Sequence, residues 1–276
     1  METLILNDQI YGSTEIKSPM LTDLLSSPSI QRLKGINQFG IPDQLYYRRN
    51  FSRFEHCQGV MLLLKHLGAS ELEQVAGLLH DASHRAFSHV YDWVTEDHTQ
   101  QGPKPENTQD NNHQRFLEQT ETPNVLTRHG YQLADVTDYH QFTLLESDTP
   151  ALCADRVDYS LRELPLSTAQ EILLGLTTFA GRIVCSNLDT AATFGREFLD
   201  LQNNHWGSFE AVTRYTYFSK TLKRAIQIGL ITHQDFDLDD QSVLKKLTAT
   251  SDEEIQQVLT LLKSPNLPLA RFKFSN

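Results

Sequence analysis

Cysteine is scarce in this 276-residue chain: Cys57, Cys153 and Cys185 are all it has. An odd, widely spaced trio makes neither a disulfide framework nor a zinc knuckle, so a reducing, cytoplasmic setting is expected. Basic residues are also in deficit, 24 Lys and Arg against 35 Asp and Glu, for a formal net charge of -11. Binding along a nucleic acid needs basic surface, so nucleic acid is not an expected partner. An anionic small molecule is not excluded, because a few arginines can make one pocket locally positive. No run of about 18 apolar residues occurs, so neither a spanning helix nor a membrane partner is expected. The opening METLILNDQIYG lacks a basic flank before a long apolar stretch and does not read as a secretory signal. No repeat and no Pro-rich linker divides the chain.

Hydrophobic residues make up 39% of the sequence, enough to bury a proper core. Leu4 to Ile16 alternates around Asn7-Asp8 and Gly12 and reads as a short hairpin or extended arm. Helical patterns then dominate. One helix starts at Ser27-Pro28 and runs to about Gln38, before Gly40 and Pro42. A second runs from about Arg53 to just before Gly68. A third starts at an Ser70 cap, with Glu73 three residues on, and continues through Ser83. A fourth covers about Arg85 to Val94. Residues 98–112 are polar and aperiodic and read as a long exposed loop, an insertion or a flap. Helices resume near Asn112, and Pro150 opens another that reaches Glu163. Residues 182–186 read as a short strand, and longer helices follow over 188–204 and 208–230. A turn and a helix, one more helix from Ser251 and an extended PLARFKF end complete the chain.

The anomaly lies on faces that should be apolar. His56 shares one face of its helix with Val60, Leu63 and Leu67. His80 continues the stripe of Leu72, Val75, Ala76 and Leu79, and Asp81 follows beside it. Leu152, Asp155, Tyr159 and Arg162 likewise share a partly apolar face. A carboxylate on a buried face is costly unless something compensates it. Taken alone, His56 reads as a hydrogen-bonded core histidine, and an HD dipeptide carries little information. Taken together, two histidines and two aspartates point to a divalent cation, for which imidazole nitrogen and carboxylate oxygen are suitable ligands. Asp158 is expected to form an ordinary surface salt bridge with Arg162 at i,i+4. His66, His98, His129, His140, His205 and His233 are expected at the surface.

FSRFEHCQGV, LLHDASHRAFSHVYD and ADRVDYSLRE together resemble the HD-domain phosphohydrolases. The nearest branch is the one containing the SAM-and-HD-domain deoxynucleotide triphosphohydrolases. LNDQIYG followed by SPSIQRLKGINQFG is similar to that branch's entry segment, so the resemblance covers residues 4–163. It implies an all-α, HD-domain helical bundle with minor short β elements near the N-terminus and in the C-terminal half. A single domain over 1–276 is expected, with its core at about 20–165 and a helical extension over 166–276.

The resemblance also assigns roles. His56, His80, Asp81 and Asp155 become ligands of one divalent metal: manganese, iron, nickel, cobalt or magnesium. His84, His89, Asp92 and Arg53 become the catalytic group, with Arg53 also contacting phosphate. Gln38, Arg156, Tyr159 and His113 become substrate contacts. Glu163 stands where relatives usually carry aspartate. Beyond residue 165 the likeness fades. RYTYFSKTLKRAIQIG, residues 214–229, is the candidate for the branch's triphosphate-gripping helix, through Arg214, Tyr215, Tyr217, Lys220 and Arg224.

The expected activity is hydrolysis of a phosphoester, with a nucleotide as the substrate and either a triphosphohydrolase or a nucleotidase-like outcome. A homo-oligomer fits the superfamily. Two other readings remain open on the sequence. A di-iron HD-fold oxygenase would draw extra ligands from His84 and His113. A non-catalytic nucleotide-binding regulatory module would keep the pocket without turnover.

Overall fold

The structure, a computed structural model, describes residues 3–46, 50–95, 108–265 and 267. Strands β1 (Leu4–Asp8) and β2 (Gly12–Ile16) pair antiparallel, with Leu4 opposite Ile16, as the alternating opening segment predicts. Helices α1 (Pro19–Leu25) and α2 (Pro28–Gln31) follow. The second passes into a 3-10 turn, Arg32–Gly35, so the expected helix to Gln38 ends early. Next come α3 (Arg53–His66), α4 (Glu71–Leu79), α5 (Ser88–Thr95), α6 (Thr108–Glu118), α7 (Thr122–Arg128) and α8 (Ala134–Thr137). After α9 (Ala154–Glu163) and α10 (Leu166–Leu174), β3 (Leu176–Phe179) and β4 (Arg182–Cys185) form a second antiparallel hairpin. The chain continues through α11 (Leu188–Leu201), a π turn at Gln202–Trp206 and α12 (Phe209–Gln227). A 3-10 turn, His233–Asp237, precedes α13 (Asp240–Ala249) and α14 (Glu253–Leu262). The fold is all-α with two short hairpins among the described residues, as expected.

The chain forms two compact units. The first comprises residues 1–34, 51–84 and 103–198, and the second residues 35–50, 85–102 and 199–276. In the first, α3 is buried on almost every side, from Val60 through Leu64, because it packs along both α4 and α9. Gly77 permits the approach of α4: a methyl there would collide with Leu64. In the second, Phe87, Phe218, Leu222, Phe236, Val243 and Ile255 anchor the core. Phe87 and Ser88 carry positive φ, 66° and 44°, an uncommon backbone for side-chain-bearing residues. Asp240 supports that turn, accepting from the Phe87 N–H at 2.7 Å and the Asn37 N–H at 2.9 Å.

Several expectations are corrected. Helix α4 stops at Leu79, with His80 as its C-cap, and not at Ser83. Its N-terminus is only half a capping box. Ser70 accepts from the Glu73 N–H, but the Glu73 carboxylate turns inward to the Leu144 and Leu145 N–H groups at 2.8 and 3.1 Å. The fourth helix begins at Ser88, not Arg85. Helix α9 begins at Ala154, because Leu152 is bridged to Ile183 and residues 150–153 are not helical. Helix α6 takes up residues 108–112 of the polar stretch, and residues 98–107 lie outside the described residues, as do His98 and the PLARFKF end. His205 is buried, 2% exposed, with its ring edge-on to Phe39 at 4.7 Å.

Candidate metal centre

Arg53, His56, His80, Asp81, His84 and Asp155 belong to the first unit. Helix α3 starts with a capping box: Ser52 accepts from the Glu55 N–H, and Glu55 accepts from the Ser52 N–H at 2.8 Å. That cap fixes the first turn, which carries Arg53 and His56 inward, 1% and 0% exposed. The C-terminal end of α4 delivers His80 and Asp81. The first turn of α9 delivers Asp155.

The four expected metal-ligand side chains converge. His56 Nε2 lies 2.9 Å from Asp155 Oδ1, 3.2 Å from His80 Nε2 and 3.7 Å from Asp81 Oδ2. His80 Nε2 lies 3.5 Å from both Asp81 Oδ2 and Asp155 Oδ1. Ligands about 2.1 Å from one shared ion stand about 3.0–3.4 Å apart, so the spacing suits a small divalent cation. Among the described residues His56, His80 and Asp81 form a group able to hold a metal ion.

The outer nitrogens say the same. His80 Nδ1 lies 2.8 Å from the Gly77 carbonyl oxygen and donates to it. His56 Nδ1 lies 2.8 Å from Asp158 Oδ2 and donates to it. Each ring then turns an Nε2 lone pair toward the same point as two carboxylate oxygens. Only a cation or bound protons can stabilise that arrangement. The residues therefore fit a divalent metal.

The four groups bias one another's protonation, the histidines toward the charged form and the aspartates toward the carboxylate. Burial opposes a charge on His56, but Asp155 and Asp158 outweigh it and raise its pKa. Burial likewise opposes a charge on His80, which Asp81 and Asp155 hold well above its ordinary value. Burial works against ionised Asp81, yet Arg53, His80 and His84 hold its carboxyl well below the usual range. Asp155 is lowered in the same way, against burial, by His56 and His80.

The other expected residues divide into two sets. Arg53 Nη1 sits directly against Asp81 Oδ2, and His84 Nε2 lies 3.2 Å from Asp81 Oδ1. The Tyr159 ring lies beside His56, with centroids 6.3 Å apart. His113 is buried, with Nδ1 3.0 Å from Ser83 Oγ and Nε2 2.7 Å from the Tyr139 hydroxyl. Burial, reinforced by His80, pushes His113 down to about 4, so it is neutral at pH 7. Arg156 donates to the Ala151 carbonyl at 2.6 Å and the Ser147 carbonyl at 3.4 Å, and its side chain also hydrogen-bonds Tyr159. His89, Asp92 and Gln38 belong to the second unit. His89 Nδ1 and Asp92 Oδ2 are 3.1 Å apart and about half exposed, while Gln38 is buried.

Asp158 forms the expected i,i+4 pair with Arg162 at 2.9 Å, but the pair is buried and not at the surface. Asp158 is fully buried, and it bonds to Arg162, His56 and Tyr11 together. The i,i+4 spacing conceals this, because two of those partners come from distant parts of the chain. Asp155 also lies close to Glu146 and Cys153, another potential ligand group. Burial, with Glu146 and Asp155, pushes the Cys153 thiol up to about 12, so it is a neutral donor toward Glu146 at 3.7 Å.

No family model matches the chain. Over 266 residues it is 37% identical to YdhJ of Bacillus subtilis, an uncharacterized protein, spanning 92% of this chain and 78% of that one. Over 279 residues it is 28% identical to the metal-dependent phosphohydrolase cns2 of Cordyceps militaris, spanning 96% and 79%. A stretch of 103 residues, 32% of this chain, is 36% identical to the human deoxynucleoside triphosphate triphosphohydrolase SAMHD1, of which it covers 16%. The fold is shared with a crystal structure of a phosphohydrolase from Bacteroides thetaiotaomicron, at TM-score 0.70 and 20% identity, over 95% of this chain and 76% of that one. The chain belongs to the HD-domain phosphohydrolase superfamily. It is a metal-dependent phosphohydrolase whose cofactor is a divalent metal. No described helix is long and apolar enough to cross a membrane.

Proposed function

We propose that His56, His80, Asp81 and Asp155 hold the metal, and that the protein hydrolyses a phosphoester of a nucleotide at that site. The observation that carries this is the convergence of two Nε2 lone pairs and two carboxylate oxygens at separations of 2.9–3.7 Å. A divalent cation bound there lowers the pKa of water and polarises a phosphoryl oxygen.

The chain's own residues do the rest. Arg53 is close enough to the ligand group to neutralise charge on a bound phosphate, and its burial strengthens that interaction. His84, held by Asp81, is placed to pass a proton to the leaving oxygen. His113 is neutral, and Tyr139 and Ser83 orient it as a hydrogen-bonding partner for substrate. Tyr159 offers a flat apolar face with a hydroxyl at its edge. Roles for Arg156 and Gln38 in substrate contact, and for His89 with Asp92 in proton transfer, belong to the same reading and are tested by single variants.

A nucleotide is favoured by the likeness of 103 residues to a deoxynucleoside triphosphate triphosphohydrolase. The triphosphate-gripping role expected of residues 214–229 is not favoured. The Arg214 guanidinium is taken up by the Leu45, Leu262 and Ser264 carbonyls and by Glu210, and Arg224 is paired with Asp252 at 2.9 Å, which favours a smaller phosphoester. The reading treats residues 1–276 as one HD-type domain. A single unfolding transition supports that, and two separate transitions contradict it.

The test is release of phosphate, pyrophosphate or triphosphate from a nucleotide panel. Manganese, magnesium, nickel, cobalt and iron are each added to metal-stripped protein, with Asp155→Ala alongside. Metal-dependent release that is lost in the variant is expected, and the leaving group names the class. No release from any nucleotide, with release from another phosphoester, overturns the nucleotide assignment alone.

A further inference from the structure

Behind His56 lies a buried set of charges that the proposed chemistry does not use. Asp158 is 0% exposed and receives three donors. His56 Nδ1 donates to Oδ2 at 2.8 Å, Arg162 Nε to Oδ2 at 2.9 Å, and the Tyr11 hydroxyl to Oδ1 at 2.7 Å. Arg162 continues outward, its Nη2 donating to Asp8 Oδ2 at 2.8 Å. Asp8 and Tyr11 come from the N-terminal hairpin, about 150 residues away in sequence from α9.

Two features set this apart from an ordinary structural ion pair. The first is its charge. Asp8 and Asp158 carry two negative charges and Arg162 one positive, and the three side chains are 3%, 0% and 7% exposed. One negative charge is therefore left over in a dry site, and the group facing it is the His56 ring. A cation on the far side of that ring offsets it. The second feature is the space. Gly59 lies one turn after His56 on α3, and a methyl there would collide with both Asp158 and Arg162. The helix next to the metal ligand is open where the carboxylate must reach it.

We propose that Asp158 is a positioning residue for the metal, and that Tyr11 makes the N-terminal hairpin part of the same device. Asp158 holds His56 as the Nδ1–H form and fixes its ring, so that the Nε2 lone pair points at the ion. Arg162 and the Tyr11 hydroxyl hold Asp158 in place and satisfy its remaining acceptor sites. The inference rests on the proposed ligation by His56.

The experiment is a manganese titration of metal-stripped, full-length protein, followed by calorimetry, with thermal unfolding of each apo variant. Asp158→Asn is expected to bind manganese about 10–100-fold more weakly than wild type. Tyr11→Phe, which removes one hydroxyl, is expected to bind roughly threefold to tenfold more weakly. Glu121→Gln serves as the structural control. Its carboxylate accepts from the Ser29 N–H and hydroxyl, so the substitution should lower the melting temperature and leave manganese affinity alone. His56→Ala separates the two levels of the argument. If it binds manganese as wild type does, the ligation reading fails and the inference falls with it. If it loses manganese while folded Asp158→Asn and Tyr11→Phe keep wild-type affinity, the positioning role alone is overturned. Should Asp158→Asn not fold, Tyr11→Phe decides, and wild-type affinity there overturns the proposal.

Discussion

Arg53 and Arg214 head the fully buried side chains, one in each compact unit, and their charges are satisfied in different ways. Arg214 is used up inside the second unit. It donates to the Leu45 and Leu262 carbonyls at 2.6 Å each, to the Ser264 carbonyl at 3.0 Å and to Glu210. Tyr46 lies 4.9 Å beneath its guanidinium. Asp240 serves the same unit as a clamp on two backbone N–H groups. These charges tie segments together. Arg53 instead faces a carboxylate that also faces two histidine lone pairs, in a group that a cation completes. A buried charge spent on backbone carbonyls belongs to architecture. A buried charge beside convergent ligand atoms belongs to chemistry.

The sharpest way to break this contrast is to remove one member on each side. Asp155→Ala should lower metal-dependent phosphate release by at least about 1000-fold while the protein stays folded. Phosphate release at saturating manganese checks it. Arg214→Met should do the reverse. It leaves several buried carbonyls without a donor and should cost about 3–5 kcal/mol in urea unfolding. The fraction that remains folded should keep its manganese affinity. Arg53→Lys keeps the charge but loses the planar fork, and should lower kcat/KM about 10–100-fold with little change in manganese affinity.

Protons give a finer test. His113 is held at about 4 in the folded protein, against 6.5 for an ordinary histidine. Between these values the unfolded chain binds more protons. The stabilising effect is therefore complete above about pH 6.5 and is lost as pH falls toward about 4. His113→Gln should remove about 2 kcal/mol of the stability difference between pH 7.5 and pH 5, measured by urea unfolding. The smallest effect is expected at the exposed pair His89 and Asp92. Asp92→Asn should change stability by less than about 0.5 kcal/mol.

The convergence of His56, His80 and Asp155 was legible in the sequence, for a definite reason. His56, His80 and Asp155 break apolar faces, and such a break is visible in any helix whose period is clear. Asp158 was not legible. Its i,i+4 partner Arg162 made it look like a surface salt bridge, and only the fold brings Tyr11 and His56 to it. Glu73 misled in the same way: the capping pattern placed its carboxylate at the helix start, whereas tertiary structure uses it on Leu144 and Leu145. The end of α4 was misplaced because no glycine marks it, and the chain turns beyond His80 through Phe87 and Ser88. Arg214 looked like a phosphate contact because an arginine-rich helix has the same sequence whether its guanidinium faces a substrate or a carbonyl.

The central claim is that Asp155 joins His56, His80 and Asp81 around one ion. The most direct measurement is an equilibrium titration of manganese into metal-stripped full-length protein, wild type and Asp155→Ala side by side, with circular dichroism to establish that both are folded. The account predicts one ion per wild-type chain and at least about a 100-fold loss of affinity in the variant. A folded Asp155→Ala protein that binds one manganese ion as tightly as wild type would contradict it.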